Sequence, residues 1–148
     1  MEEIDTLRFG RIKVEGDKII TFPRGILGFS RCRRYALFPH GEKSPFCWLQ
    51  SVEDAALAFV VMDPALVDPR YQVDVDEQTA RELDIAPGDK IQALCIVTIP
   101  QGDPRRMTVN LLGPLVVNTR NRLAAQVICE NRGYSHRRPL LAEEREAP

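Results

Sequence analysis

Phe46-Cys47-Trp48-Leu49-Gln50-Ser51 and, after a short break, Leu57-Ala58-Phe59-Val60-Val61-Met62 read as two strands. Both runs are rich in aromatic and β-branched residues, which suit a pleated, buried surface. Similar runs lie on either side. Arg34 to Phe38 and Tyr71 to Val75 are shorter; Lys90 to Ile99, Met107 to Leu112, Leu115 to Asn118 and Leu123 to Cys129 follow. Phe9 to Val14 and Lys18 to Phe22 alternate apolar with polar residues around Glu15-Gly16-Asp17, which predicts a hairpin joining the two. Pro64, Pro69, Pro87, Pro100, Pro104 and Pro114 fall between or at the edges of these runs, where a missing N–H does least harm. One helix is predicted after Asp76, which can cap it, with Glu77 in its first turn and Ala86-Pro87-Gly88-Asp89 as its stop. Strands that follow one another without intervening helices predict a mainly β fold, with antiparallel sheets forming a partly closed barrel or sandwich.

At 148 residues the chain has the size of one domain and can bury a core without metals or disulfides. The ordered domain is expected over residues 7–141, with flexible ends at 1–6 and 142–148. Cys32, Cys47, Cys95 and Cys129 form no C-x-x-C pair, and three of them sit in apolar runs, so they read as structural thiols. The acidic start, Met1-Glu2-Glu3-Ile4-Asp5, lacks the order of a signal peptide, and no apolar run reaches the ~20 residues of a membrane span. A cytoplasmic location is expected.

Net charge is −1, which disfavours general nucleic-acid binding. The charges are segregated along the chain. Glu53 to Lys90 holds ten Asp/Glu against three Lys/Arg, whereas Arg105 to Arg138 holds seven Arg against Glu130 alone. If the segments occupy different faces, the molecule is electrically two-sided.

The motifs of hydrolases, phosphate loops, dinucleotide-binding folds and zinc helices are missing, and His40 and His136 are the only imidazoles. No catalytic residue, cofactor or metal is expected. The arginines could instead hold a phosphorylated ligand or RNA, which leaves a small ligand-binding β-barrel as the alternative function. The paired arginine and D/N-x-S-x-x-G signatures of cyclic-dinucleotide PilZ barrels are not found. Phe22-Pro23-Arg24-Gly25-Ile26-Leu27-Gly28-Phe29 is the most unusual segment: rigid at Pro23, permissive at its glycines, and apolar at Ile26, Leu27 and Phe29. It is either a structural corner plugging the barrel end or a binding knob.

Taken together, Phe22 to Phe29, Pro45 to Ser51, Leu57 to Val61, Met107 to Asn118, Gln126 to Ile128 and Tyr134 to Leu140 resemble the FliW family of flagellar assembly factors, in order and over nearly the whole chain. The sequence departs from the family pattern at Gly113, where Ala is commoner, and at Arg138, where the pattern is nearer Tyr-x-x-Arg-His-Pro-Leu. The resemblance implies a compact β protein, not an enzyme, that binds flagellin and the RNA-binding translational repressor CsrA. It would hold CsrA off the flagellin message until flagellin accumulates and displaces it. A basic CsrA would be steered by acidic side chains, and Asp74, Asp76, Glu77, Glu82 and Asp84 are the candidates. Ile26, Leu27, Phe29 and Trp48 are the candidate apolar anchors, although Trp48 is also the obvious core residue and is expected there first.

Overall fold

The β-strands close into a ring. In the computed structural model, which describes residues 1–141, the strands are β1 (Glu2–Thr6), β2 (Gly10–Val14), β3 (Ile19–Thr21), β4 (Arg34–Pro39), β5 (Phe46–Ser51), β6 (Ala58–Met62), β7 (Ile91–Thr98), β8 (Thr108–Val109), β9 (Leu115–Asn118), β10 (Leu123–Gln126) and β11 (Arg138–Pro139). Strands β9-β7-β6-β5-β4-β3-β10 follow one another, and β10 returns to β9, so seven strands form a closed barrel. Every contact in the ring is antiparallel except β3 with β10, a parallel seam paired at Leu123 and Thr21. Closure removes the sheet edges that an open arrangement would leave exposed. The fold is therefore mainly β, as the strand pattern indicates.

Strand β7 is shared. Ile91 to Leu94 pair with β9, and Val97 and Thr98 pair with β8, which carries β11 on its far side. The inner face holds one core of Ile20, Phe22, Ile26, Tyr35, Leu49, Val61, Leu94, Leu115, Val117 and Ala124. The outer face is covered in two places. Ile4 and Val14 of the β1–β2 hairpin pack on Ile19 and Ala36. Tyr71, Met107, Tyr134 and Leu140 cover Met62, Cys95, Val97, Val109 and Leu111. This explains why Val60-Val61-Met62 is apolar throughout: alternate residues point to two different cores.

The one α-helix among the described residues, α1 (Glu77–Glu82), starts where predicted. The Asp76 carboxylate accepts from Thr79 N at 2.7 Å. Leu83, just beyond, is fully buried, and its carbonyl accepts from Asn118 Nδ2 and Asn121 Nδ2. The helix thereby seals one end of the barrel.

Four expectations are corrected. Residues 1–6, expected outside the folded domain, contain β1, because Ile4 matches Ile12 across the ladder while Glu3 faces Lys13 and Asp5 faces Arg11. The predicted hairpin between Phe9–Val14 and Lys18–Phe22 does not form. A 3-10 turn at Gly16–Lys18 swings the chain from β2 into the barrel, so β2 pairs with β1 and β3 pairs with β4. Tyr71 to Val75 is not a strand. Tyr71 stacks on Tyr134 at 4.5 Å and donates its hydroxyl to Leu111 O, so this segment is held by aromatic packing and not by a ladder. The run from Met107 shortens to β8, because Asn110 Oδ1 accepts from Leu112 N and Gly113 N and turns the chain. The predicted tail, 142–148, lies outside the described residues.

Candidate docking groove

The Phe22–Phe29 segment forms one wall of a cleft of about 760 Å³. Phe22 anchors it from inside, edge-on to Tyr35 at 5.4 Å. Gly25 then turns with φ +70°, where an added Cβ would lie 2.7 Å from Ser30 Cα, so only glycine fits. Ile26 closes a tight turn with Phe29, whose N–H donates to Ile26 O at 2.7 Å. This turn sorts the three apolar candidates. Ile26 is 2% exposed and belongs to the core, while Leu27 at the tip is 69% exposed and Phe29 41%. Ile26 thus plugs the barrel end, as a structural corner would, while Leu27 and Phe29 face outward.

The knob is fixed, not floppy. Gln126 Oε1 accepts from Leu27 N at 3.0 Å, and Gln126 Nε2 donates to Gly113 O at 2.9 Å, tying the tip to the end of β10. Phe29 rests edge-on against Phe59 at 5.2 Å, and Arg24 pairs with Glu82 of α1. At Gly113 an added Cβ would lie 3.1 Å from Gln126 Nε2. Alanine at this position would therefore require the Gln126 clamp to shift.

The opposite wall comes from Ile96 and Thr98 of β7, Met107 and Thr108. Arg106, His136 and Arg137 stand at the rim. Among the described residues no carboxylate lines the cleft. Arg137 Nε donates to His136 Nε2 at 3.0 Å. The result is an apolar trough with a cationic rim. Arg106, Met107, Arg137 and the Gln126 clamp were not singled out as site residues from sequence. Their only signal was that they fall in or beside the segments that carry the family resemblance.

Trp48 lies elsewhere, and the expectation of a core position is corrected. It is half-buried on the outer face of β5, between the two covering layers. Arg8 lies 4.7 Å over its ring, His40 stacks at 5.5 Å and Phe9 meets it edge-on at 5.3 Å. Alternation along β5 puts Leu49 inside and therefore Trp48 outside.

The acidic candidates are mostly engaged. Asp74 takes Arg132 in two hydrogen bonds at 2.7 and 2.9 Å, which lowers its pKa. Asp76 is the helix cap, and its bonds from Thr79 lower its pKa likewise. Glu82 holds Arg24, and Asp84 lies 3.7 Å from Arg120. Glu77, with Arg81 at 3.9 Å, is the most exposed of the five. Nearby Asp89 accepts from Arg120 at 2.9 Å, from Ala86 N and from Asn118. The Arg120 bond leads in holding its pKa down to about 2. Asp74, Asp84 and Asp89 of the acidic segment thus meet Arg132 and Arg120 of the basic one, which corrects the two-sided picture: the segments touch and do not occupy wholly separate faces.

Among the described residues no cluster of three His, Cys, Asp or Glu side chains could hold a metal ion. All four cysteines are free, and burial pushes the Cys95 thiol up to about 12, far from a reactive thiolate. Cys95 and Cys129 are buried; Cys32 and Cys47 are only partly so. No helix among the described residues is long and apolar enough to cross a membrane.

The FliW protein family profile matches residues 3–140. The chain belongs to the FliW family. The flagellar assembly factor FliW of Magnetococcus marinus is 38% identical over 141 residues, covering 95% of this chain and 86% of that protein. The FliW of Geobacter sulfurreducens is 41% identical over 138 residues, covering 93% and 86%. A crystal structure of a flagellar assembly factor FliW superposes with a TM-score of 0.86 at 33% identity, over 97% of this chain and 99% of that one. FliW proteins are flagellar assembly factors and not enzymes.

Proposed function

We propose that this FliW-family protein serves flagellar assembly by binding flagellin and the translational repressor CsrA in turn, so that flagellin synthesis follows export. The observation that supports a docking role is the rigidly held pair of exposed apolar side chains, Leu27 and Phe29, beside a trough with a cationic rim. An exposed leucine clamped by a side chain from the far end of the sequence resists collapse into the core, so it is available to a partner at little entropic cost. The acidic side chains that remain most open, Glu77 and Asp84, would steer the basic CsrA and set its salt dependence. Asp74, Asp76 and Glu82 add to that field while holding local structure. Trp48 is a secondary anchor on the outer face.

The test is calorimetric titration of the purified protein with flagellin and, separately, with CsrA. Leu27→Asp should weaken partner binding at least tenfold while the thermal midpoint stays put. Unchanged affinity for both partners would sink the groove as the docking surface. Reversing Glu77 and Asp84 together should slow CsrA association and flatten its dependence on salt. The other reading, a phosphorylated ligand or RNA held by arginines, draws on Arg106 and Arg137 at the same rim. Tight, sequence-selective RNA binding by the protein alone would favour it.

A further inference from the structure

The β1–β2 hairpin is a two-stranded sheet, so among the described residues each strand has one edge with no strand beside it. Apart from their mutual ladder, residues 10–14 make no backbone–backbone hydrogen bond among the described residues. The free edge of β2 opens on a second cleft of about 370 Å³, lined by Ile12, Lys13, Lys18, Leu37 and Phe38 among others. Across it, β4 lacks a strand on one side: β3 pairs with β4 only as far as Ala36, so Leu37, Phe38 and Pro39 pair with β5 alone, and the turn at Gly16–Lys18 borders them without a ladder. An unpaired strand edge therefore faces an apolar floor, a combination that natural proteins usually cover.

The existing partner of β2 shows what chemistry its surface accepts. β1 sets Glu3 against Lys13, Ile4 against Ile12 and Asp5 against Arg11. Arg11 is further satisfied by Asp5 at 2.8 Å and Glu3 at 3.8 Å. Lys13 and Lys18 make no ion pair among the described residues, although Glu15 also lines the cleft. A second copy joined through β2 against β2 would bring Lys13 and Arg11 of both copies together, and like charges across a ladder repel. A strand with carboxylates on its outer face and apolar side chains on its inner face meets none of these objections.

We infer that the free edge of β2, with the Ile12–Leu37–Phe38 cleft, is a second binding surface that takes an extended acidic and apolar peptide segment by strand addition. Main-chain hydrogen bonds to β2 supply the affinity; the apolar floor and the two lysines select the alternating pattern. The surface is built from different strands than the Leu27–Phe29 groove, so each can be removed without touching the other.

The probe is a terminally capped eight-residue peptide alternating glutamate and valine, titrated into the full chain and followed by backbone amide resonances. Saturable shifts and slowed exchange are expected at residues 11–14 and 37–38, with the groove around Leu27 unaffected. Combining Lys13→Glu with Lys18→Glu should weaken binding about tenfold. The same peptide with lysine in place of glutamate should bind that double variant better than the wild type. Because Lys13 also faces β1, Lys18→Glu alone, outside the hairpin, is the second variant, and it should weaken binding in the same direction. Shifts that map to the Leu27 groove, no saturable binding, insensitivity to both variants, or a peptide-free dimer that buries β2 would each overturn the inference.

Discussion

The Phe22–Phe29 segment and the Asp74–Asp89 segment are joined by Arg24 and Glu82, yet they settle their side chains in opposite ways. Around α1 charges are answered one by one: Asp74 by Arg132, Asp84 and Asp89 by Arg120, Glu77 by Arg81, and Asp76 by the helix N-terminus. Around Leu27 the backbone is held by Gln126 and by the turn from Ile26 to Phe29, yet Leu27 and part of Phe29 stay exposed beside a cationic rim. Charge density marks where the molecule holds itself together. Rigid, exposed apolar surface is the kind on which interfaces are generally built.

The sharpest way to break this comparison is to disturb the turn that creates it. Gly25→Ala forces a Cβ against the Ser30 backbone in a left-handed conformation, and the expected loss is about 2–4 kcal/mol of stability, read by urea unfolding. A fully stable alanine variant would mean the turn is not over-determined. Phe29→Ala comes next. It should cost about 2 kcal/mol of partner affinity in a calorimetric titration, with a smaller stability change from its lost contact with Phe59. If stability fell and affinity did not, Phe29 would be a core residue and the contrast between the regions would fail.

The charged side is probed by pH. Asp89 titrates lower in the folded chain, at about 2, than a free carboxyl near 4. Its stabilisation is therefore complete above about pH 4 and is lost as pH falls towards 2. Asp89→Asn should flatten the dependence of the thermal midpoint on pH in that window. An unchanged slope would assign the acid sensitivity to Asp74 and Asp76, whose pKa values are lowered too. The smallest effect belongs to Glu77→Ala. Its exposed pair with Arg81 on one turn of helix is worth about 0.3–0.5 kcal/mol, so chemical unfolding should barely move while association with CsrA slows.

Much of this was legible in the chain. Strand positions from Arg34 to Met62 and from Lys90 to Asn118 follow from local composition, because β-branched and aromatic residues declare a buried sheet wherever it sits. The cap at Asp76 could be read because a helix start is a local event. The partner of β2 was not legible: Phe9 to Val14 fits a strand on either side by alternation alone, and the choice between Glu2–Thr6 and Lys18–Phe22 rests on how one 3-10 turn directs the chain. Trp48 was misjudged for a related reason. Which face of β5 points inward depends on the register of the whole ring, and a shift of one residue reverses every side chain.

By itself, then, the order of residues determined a β fold with one capped helix, a membership of the FliW family, and a suspect segment from Phe22 to Phe29. Only the tertiary structure decided that Ile26 turns in while Leu27 turns out, that Gln126 holds the tip from 99 positions away, and that Asp74 and Asp89 are met by Arg132 and Arg120 from far along the chain. Strand propensity and capping act between neighbours in sequence. Ring closure, clamp and ion pairing act between residues far apart, whose meeting is fixed only when the barrel shuts.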